Sequence, residues 1–288
     1  MGNKLRIPEW NENYIRLTSR QTAAECLKEI IKRLPESTYP QSPFFASAIN
    51  EIESYMITHK PPFVLKAPYS SSGRGLLWIN EEGLSIKEKE RIRGVLGKQG
   101  QVSVEQVLRK EADFALEYEI NSPERITYKG ISFFETGEKG AYAGNRLEHQ
   151  DLIKERLTGL IGEGLFSQVQ QAVGEVLLEV YGTSYRGYIG VDMMIYREED
   201  YVYAIHPCVE INMRYTMGML AVQFFERFIS PDVTGLFKVT YEKEAYIHHQ
   251  KMKERYPLQW KSGKLLKGYF PLCPVFPETC YRAFILIE

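Results

Sequence analysis

Two carboxylates and an amide lie at spacings that would let them bind one metal ion. Asp192 lies within an apolar run over residues 187–196, and Glu210 and Asn212 lie near the end of a second apolar run over residues 201–214. A short charged turn separates the runs, so a β-hairpin is predicted. Side chains of a strand alternate between its faces, which places Glu210 and Asn212 on one face. If Asp192 shares that face on the neighbouring strand, three oxygen-bearing side chains converge.

Oxygen ligands of this kind favour Mg²⁺, which typically takes one or two protein carboxylates and leaves its other positions to phosphates and water. Mn²⁺ is the alternative metal. A strand pair with a solvated polar face is the other interpretation. We favour the metal site because Glu210 and Asn212 would be costly to bury in an apolar strand without partners.

A loop between two predicted strands has the composition of a phosphate-binding loop. Lys66 lies near the end of the first strand, residues 68–75 form a loop of mostly small residues, and residues 76–79 are again strand-like. Small residues let backbone N–H groups approach a phosphate, and Lys66 supplies positive charge. The loop is not a Walker A motif, because it lacks a final Gly-Lys-Ser/Thr and no helix follows. An ordinary Ser/Gly-rich hairpin turn with a surface lysine is the alternative.

Other elements must hold these two regions in place. Apolar periodicity predicts helices over residues 85–100, 148–182, 217–229 and 246–256, and strands over residues 102–108, 113–120, 126–134, 236–241 and 281–287. The last strand is expected to return to the sheet. His248 and His249 are interpreted as surface residues rather than metal ligands.

The first 60 residues are predicted to contain two helices and no domain of their own. Thr22 and Glu25 form a candidate capping box for the first helix, and Ser42 is the candidate cap of the second. Their apolar stripes comprise Leu27, Ile30, Ile31 and Leu34 in the first and Phe45, Ile49, Ile52 and Met56 in the second. Because isolated helices of this size are marginal in water, both are expected to pack against the lobe that carries Lys66.

Composition excludes several classes of function. The 288 residues carry 36 basic and 37 acidic side chains, so the net charge of −1 offers no field that would draw the protein to nucleic acid or to an anionic membrane. Four cysteines without a Cys-x-x-Cys pair argue against a zinc site and a disulfide framework. No apolar stretch has the length of a signal peptide or a membrane span. We therefore expect a cytoplasmic protein that acts on small molecules.

Four motifs occur in the order found in the ATP-grasp family. They are Lys66 with its Ser-Ser-Ser-Gly-Arg-Gly loop, Val104-Glu105-Gln106-Val107, Gly190-Val191-Asp192, and Glu210-Ile211-Asn212-Met213-Arg214. Over about residues 60–220 the chain resembles that family, and the last motif is the most specific. The resemblance implies an α+β ATP-grasp fold, in which two α+β lobes with mainly antiparallel sheets clasp a nucleotide. It implies a helical segment at residues 1–60, a small lobe at 61–108 and a large lobe at 109–288.

The resemblance also implies an ATP- and Mg²⁺-dependent ligase that joins a carboxylate to an amine or similar nucleophile through an acyl phosphate. Lys66 would contact the ATP phosphates, and Arg214 would stabilise the transferred phosphoryl group. Asp192, Glu210 and Asn212 would hold Mg²⁺. Further nucleotide contacts are implied for Ser71, Ser72, Gly73, Arg74 and Gly75 over the phosphates, for Glu105, Gln106 and Val107 at the adenine edge, and for Asp113 at the ribose. Phosphoryl transfer depends mainly on positioning and charge neutralisation, which suits these residue types.

Two departures from the family pattern concern the N-terminal region. Members commonly have an additional basic residue near the start of the module, for which Arg20 and Lys28 are the candidates here. They usually carry an α/β domain ahead of it, whereas the first 60 residues hold no convincing set of strands. We therefore expect small-molecule or peptide carboxylates and amines as substrates, with a partner protein or a second copy of the chain supplying the acceptor side.

Two other functions are compatible with the sequence. A nucleotide-binding regulatory or partner-dependent subunit would keep the ATP cleft without independent catalysis. An α+β protein with no nucleotide site would show no ATP-dependent rise in melting temperature. If Lys66 is a phosphate ligand on the surface of the cleft, Lys66→Ala is expected to weaken ATP binding while leaving the fold intact.

Overall fold

Two β-sheets and the helices packed on them form the framework of the chain. A computed structural model describes residues 11–37, 39–59, 61–70, 75–80, 83–136, 142–199 and 202–288. The helices are α1 (Asn13–Leu17), α2 (Arg20–Ile31), α3 (Ile49–Thr58), α4 (Ile86–Gln99), α5 (Gln150–Ile161), α6 (Glu163–Tyr181), α7 (Met217–Phe228) and α8 (Ala245–Arg255). The strands are β1 (Phe44–Ala46), β2 (Phe63–Lys66), β3 (Leu76–Ile79), β4 (Val102–Gln106), β5 (Arg109–Ser122), β6 (Arg125–Thr136), β7 (Tyr142–Leu147), β8 (Gly187–Glu199), β9 (Val202–Asn212), β10 (Gly235–Tyr241), β11 (Gln259–Lys261), β12 (Lys264–Pro271) and β13 (Tyr281–Ile287).

Each sheet is antiparallel throughout its named strand pairs. One has four strands in the order β1-β4-β2-β3, and the other has nine in the order β11-β12-β13-β10-β7-β6-β5-β8-β9. The chain passes from the first sheet to the second through Val107 and Leu108, between β4 and β5. The predicted α+β class with mainly antiparallel sheets is confirmed.

The predicted hairpin around Asp192 and Glu210 is confirmed as β8 and β9. Asp192 lies directly opposite Glu210, and Met194 lies opposite His206. Four steps along β9 therefore match two steps along β8, so β9 bulges between these pairs. Pro207 lies within the bulge, where its missing N–H removes no regular ladder hydrogen bond.

The four-stranded sheet is built around one short buried strand. β2 is buried along its whole length and lies between β3 and β4. Phe63 and Leu65 pack in the core formed with α3 and α4, and strand alternation then turns Val64 and Lys66 toward the other face. α4 begins with a capping box at Ser85, so the sheet is backed by a helix whose start is specified locally.

α2 packs on the nine-stranded sheet, so the prediction that both N-terminal helices lie against the Lys66 lobe is wrong for the first helix. Leu27 and Ile30 are buried in the core that includes residues of β5, β8, β9 and α6. The predicted capping box at Thr22 is also wrong. The helix is capped three residues earlier by Ser19, whose Oγ accepts from the Thr22 N–H at 3.2 Å. The apolar stripe was identified correctly, but a stripe does not specify which sheet it meets.

The second N-terminal helix begins later than predicted because a strand precedes it. β1 pairs with β4 in the register Phe44↔Val104, so Phe45 belongs to a strand and not to the helix. Apolar periodicity predicted the first turn of a helix here, but the backbone N–H and C=O groups form hydrogen bonds with β4 instead. α3 follows and buries Ile52 against the four-stranded sheet, which is the packing that was predicted for it.

The C-terminal strand returns to the nine-stranded sheet as predicted, where β13 pairs with β10 and β12. α7 shares an apolar core with these strands. His248 is exposed, but His249 is only 7% exposed and its Nδ1 lies 3.0 Å from the Tyr269 hydroxyl. The prediction that His249 is a surface residue is therefore wrong. None of the described helices is long and apolar enough to cross a membrane.

Candidate functional site

A cavity of about 760 Å³ lies between the two sheets. This volume falls within the range of about 300 to 1,000 Å³ that is typical of small-molecule sites. The lining residues from the four-stranded sheet are Val64, Lys66, Leu76, Trp78, Glu105 and Gln106, and those from the nine-stranded sheet are Lys110, Asp113, Phe134, Thr136, Asp192, Met193, Met194, Tyr196, Glu198, His206, Val209 and Glu210. Arg20, residues 39–41, Val107 and Leu108 complete the lining. Within the described part of the chain, no residue after Glu210 lines it.

Asp192 and Glu210 lie side by side on the face of β8 and β9 that lines the cavity. Because they are directly opposed across the strand pair, both carboxylates lie on the same face. Asn212 donates from Nδ2 to Asp192 Oδ2 at 3.1 Å, and its Oδ1 accepts from Arg214 at 2.9 Å. The structure thus brings together the four residues for which a metal or phosphoryl role was predicted.

The two carboxylates repel each other across the strand pair. Burial raises the pKa of Asp192 well above its ordinary value, and the charges of Glu210 and Glu117 raise it further. A bound divalent cation would reverse this effect, and a pair of carboxylates fits the number that Mg²⁺ takes from a protein. Among the described residues, no group of three or more His, Cys, Asp or Glu side chains is placed to hold a metal. The rest of the coordination sphere would come from an amide, from water or from a substrate.

Across the cavity, Lys66 belongs to a buried ion pair. Its Nζ lies 2.5 Å from Glu105 Oε2, and Ser103 donates to the other carboxylate oxygen at 3.0 Å. Burial alone would raise the pKa of Glu105, but the Lys66 ammonium together with smaller effects of Arg20 and His206 outweighs it, and the net shift is downward. The structure therefore argues against the expectation that Lys66→Ala leaves the fold intact, because the substitution would bury Glu105 without its bonded counter-ion.

Gln106 and Val107, two of the three residues predicted at the base edge, lie at one end of the cavity, whereas the side chain of the third, Glu105, is paired with Lys66. Gln106 and Val107 line it there, next to the connection between the sheets, and apolar side chains such as Val64 and Met194 contribute to the walls. The Val107 N–H donates to the Pro62 carbonyl at 3.0 Å, so this donor is already used. The apolar walls provide the kind of surface on which a flat ring can pack.

Asp113 lines the cavity near this end, with one carboxylate oxygen engaged. Lys110 Nζ lies 2.6 Å from Asp113 Oδ2, and Thr136 donates to the same oxygen at 2.7 Å. A carboxylate has two acceptor oxygens, so a sugar hydroxyl could still donate to the other one. This position is therefore chemically consistent with the predicted ribose contact.

Most of the predicted phosphate loop falls outside the described residues. This applies to Ser71, Ser72, Gly73 and Arg74, and also to residues 200–201 of the hairpin turn. Gly75 is described but does not line the cavity between the sheets. Its carbonyl accepts from the Ala67 N–H at 3.3 Å, and a Cβ added to it would lie 2.4 Å from the Ser70 Cβ. The close approach of the two flanks of the loop therefore requires glycine at this position.

Arg20 contacts both the start of the predicted phosphate loop and the carboxylate of Glu210, whereas Lys28 contacts neither. From the start of α2, the Arg20 side chain donates to the Ala67 carbonyl at 3.1 Å, to Ser70 Oγ at 3.3 Å and to Glu210 Oε2 at 3.3 Å. Lys28 is exposed on the same helix and does not line the cavity. Of the two candidates for the additional basic residue, the structure favours Arg20.

A third acid, Glu117 on β5, was not predicted as a site residue. It is 1% exposed and accepts hydrogen bonds from Ser132 Oγ at 3.1 Å and Thr216 Oγ1 at 2.9 Å. A Cβ added to Gly218 would lie 2.2 Å from Glu117 Oε1, so a glycine provides the room for this carboxyl group. Burial raises the pKa of Glu117 from 4.5 to about 7, and the two hydroxyl hydrogen bonds oppose the shift.

Glu117→Gln is expected to flatten the dependence of stability on pH. The folded state binds the Glu117 proton more tightly than the unfolded chain does, with a pKa of about 7 against 4.5. The resulting stabilisation is fully present below pH 4.5 and is lost as the pH rises through about 7. This loss lowers the free energy of unfolding by roughly 3 kcal/mol. Urea denaturation of both proteins between pH 4.5 and 8 measures the difference.

The matched control for this prediction is Glu119→Gln on the same strand. Glu119 is partly exposed and pairs with Lys129 at 2.9 Å. Such a partly exposed ion pair contributes little to stability, so Glu119→Gln should unfold at nearly the same urea concentrations as the wild type. Parallel curves for the wild type and Glu117→Gln would contradict the assignment of a raised pKa to Glu117.

Two buried polar residues, Glu117 and His206, were not predicted as site residues although the sequence around them indicates a special position. Glu117 lies between Leu116 and Tyr118 in a strand whose other face is apolar, and His206 interrupts the apolar run of β9 beside Pro207. A polar side chain on a buried strand needs a hydrogen-bond partner or a ligand. Both positions could therefore have been named as site candidates from this rule.

No protein-family model and no curated protein sequence matches the chain significantly. Solved structures do resemble it. The N5-carboxyaminoimidazole synthetase of Staphylococcus aureus complexed with ADP gives a TM-score of 0.56 at 12% identity, covering 94% of this chain and 68% of that one. The biotin carboxylase of Campylobacter jejuni in a β-γ-ATP complex gives 0.57 at 10% identity, covering 95% and 63%. The L-amino acid ligase of Bacillus licheniformis gives 0.54 at 12% identity, covering 98% and 71%.

These three enzymes are ATP-grasp proteins. The chain spans between 63% and 71% of their lengths, and the identities of 10% to 12% make the likeness one of fold alone. The predicted fold is therefore confirmed, and the chain has the ATP-grasp fold.

Proposed function

We propose that the protein is an ATP- and Mg²⁺-dependent ligase that joins a carboxylate to an amine or similar nucleophile through an acyl phosphate. The observation that carries the proposal is that carboxylates line one side of the cavity and a lysine lines the opposite side. Asp192 and Glu210 line it from the nine-stranded sheet, and Lys66 lines it from the four-stranded sheet. A nucleoside triphosphate with its metal ion matches this charge pattern on both sides. Two of the similar enzymes were solved with ADP or β-γ-ATP, which supports a nucleotide in this cleft.

The two sheets would act on different parts of the nucleotide. Asp192 and Glu210, with Asn212, would hold a metal ion that supplies positive charge to the transferred phosphoryl group. Lys66 would neutralise phosphate oxygens from the opposite sheet. Arg20 lies between them and would exchange its contact with Glu210 for a phosphate oxygen, since phosphate and carboxylate present similar acceptors to a guanidinium.

The acid and the nucleophile would bind beyond Asp192, on the side away from the base end. There β8 leads back to Tyr188, whose ring packs edge-on against Tyr215 with the ring centroids 4.8 Å apart. Arg214 is exposed next to Tyr215 and would bind the substrate carboxylate and then the acyl phosphate. A large substrate, a partner protein or a second copy of the chain would bind on this side, where no described residue after Glu210 lines the cavity.

Nucleotide binding and turnover test separate parts of the proposal. ADP with Mg²⁺ at about 100 times its Kd is expected to stabilise the protein by about 2.7 kcal/mol, which raises the melting temperature by roughly 5 °C. No shift with any nucleotide would overturn the nucleotide site. For turnover, hydroxylamine replaces the unknown amine, because it attacks an acyl phosphate and leaves a stable hydroxamate.

A panel of amino acids and small carboxylic acids is then incubated with ATP, Mg²⁺ and hydroxylamine. ATP-dependent hydroxamate formation with matching release of ADP is the expected result for a true substrate acid. A thermal shift with ADP, without ADP release for any acid, would instead favour a regulatory or partner-dependent subunit.

A further inference from the structure

His206 on β9 is a buried polar residue to which none of the roles above is assigned. It is 6% exposed and lines the cavity. Its Nδ1 accepts a hydrogen bond from the Cys208 backbone N–H at 3.4 Å. Because Nδ1 is an acceptor, the proton of the neutral imidazole is on Nε2, which is then a donor.

The Nε2 donor is available to a ligand. Within the described part of the chain, Nε2 of His206 has no hydrogen-bond partner, whereas Nδ1 is turned toward its own strand. Burial lowers the pKa of His206 to about 4, which keeps the ring neutral near pH 7. A neutral donor that is buried in the wall of the cavity favours a ligand with an acceptor atom at this point.

The position of His206 in the sheet indicates which part of a nucleotide it would meet. His206 lies opposite Met194, two residues along β8 from Asp192 toward the base end, which corresponds to about 7 Å. From the other sheet, Lys66 and Glu105 are close enough for their charges to act on the ring. His206 is therefore located between the carboxylates that would hold the terminal phosphates and the end that would hold the base.

We propose that His206 is a nucleotide-binding residue whose Nε2–H donates to an oxygen of the phosphate attached to the ribose. This inference rests on the proposed nucleotide site. A hydrogen bond from a neutral donor to a charged oxygen is stronger than one between neutral groups. It also adds a donor to the phosphate without placing another positive charge beside Lys66.

The test compares two substitutions and three ligands by calorimetry, with EDTA present so that no metal contributes. His206→Phe keeps a ring of similar size but has no donor, and His206→Gln places an amide N–H near the position of Nε2. ADP and AMP carry the phosphate in question, and adenosine lacks it. For His206→Phe, the affinity for ADP and AMP is expected to fall at least about tenfold, while the affinity for adenosine changes little. For His206→Gln, all three affinities should stay within about threefold of the wild type.

Each of the other possible results would contradict a specific part of the proposal. Wild-type affinity for ADP in folded His206→Phe would overturn the role of His206 and leave the proposed function standing. An equal loss for adenosine would mean that the contact is to the nucleoside, which contradicts the assigned phosphate. If His206→Phe does not fold, a large loss of ADP and AMP affinity in His206→Gln would equally contradict the donor role. Failure of the wild type to bind any of the three ligands would overturn the proposed function as well.

Discussion

Glu210→Gln is expected to remove the effect of Mg²⁺ on nucleotide binding while leaving the protein folded. The substitution keeps the side-chain volume and removes one of the two carboxylates that would hold the metal. Even the loss of an indirect metal contact typically costs about 10- to 100-fold in metal affinity, so loss of a direct ligand should cost at least as much. Calorimetric titration of the protein with ADP, once in the presence of Mg²⁺ and once in the presence of EDTA, measures the difference in ADP affinity. The wild type should bind ADP more tightly with Mg²⁺, and the variant should show little difference.

The stability of Glu210→Gln should stay within about 1 kcal/mol of the wild type. Glu210 pairs with Arg20 at 3.3 Å, but its side chain is 33% exposed, and such pairs contribute little. Removing this charge also relieves the repulsion that raises the pKa of Asp192. The control is Glu198→Gln, which removes a carboxylate from the same cavity far along β8. A full Mg²⁺ effect in Glu210→Gln, or an equal loss in Glu198→Gln, would exclude Glu210 as the metal ligand.

Lys66→Ala is expected to lower the free energy of unfolding by about 3 to 5 kcal/mol, because it leaves Glu105 buried without its bonded ammonium. The Lys66 and Glu105 side chains are 10% and 14% exposed, so water cannot easily replace the lost partner. Urea denaturation at pH 7 measures the change.

The double variant Lys66→Met with Glu105→Gln separates this structural cost from nucleotide binding. With neither charge present, no carboxylate remains uncompensated, and stability is expected to return to within about 1.5 kcal/mol of the wild type. ADP binding should remain weak, because the cation is still absent. If Lys66→Ala is as stable as the wild type, the original expectation of an intact fold holds and the ion pair is not structural.

The convergence of Asp192 and Glu210 was predictable because both residues belong to one hairpin. Side chains alternate between the two faces of a sheet, so the face on which each residue lies can be predicted without knowing which residues of the two strands are paired. The register itself was not predictable. Continuing the regular pairing from Met194 and His206 would place Asp192 opposite Cys208, whereas the bulge shifts the partner to Glu210. The extra residues around Pro207 therefore decide which side chain meets Asp192.

The roles of Lys66 and Arg20 show the limit of local patterns. The sequence indicated a lysine at the end of a strand, but not that Glu105, 39 positions away, would hold it in a buried ion pair. It offered Arg20 and Lys28 as equal candidates. The choice between them depends on the contact of Arg20 with Glu210, 190 positions away.

The sequence by itself determined most of the longer strands and helices, their apolar faces, and the order of motifs that indicates the ATP-grasp fold. These features follow from periods of two or 3.6 residues and from turn residues, which act over a few neighbouring positions. Only the tertiary structure decided that α2 packs on the nine-stranded sheet, that β1 extends the other sheet, that Glu117 lies near Asp192, and that His206 lines the cavity. Those outcomes depend on which apolar faces and charged groups meet across long stretches of chain, and burial drives such contacts without specifying the partner.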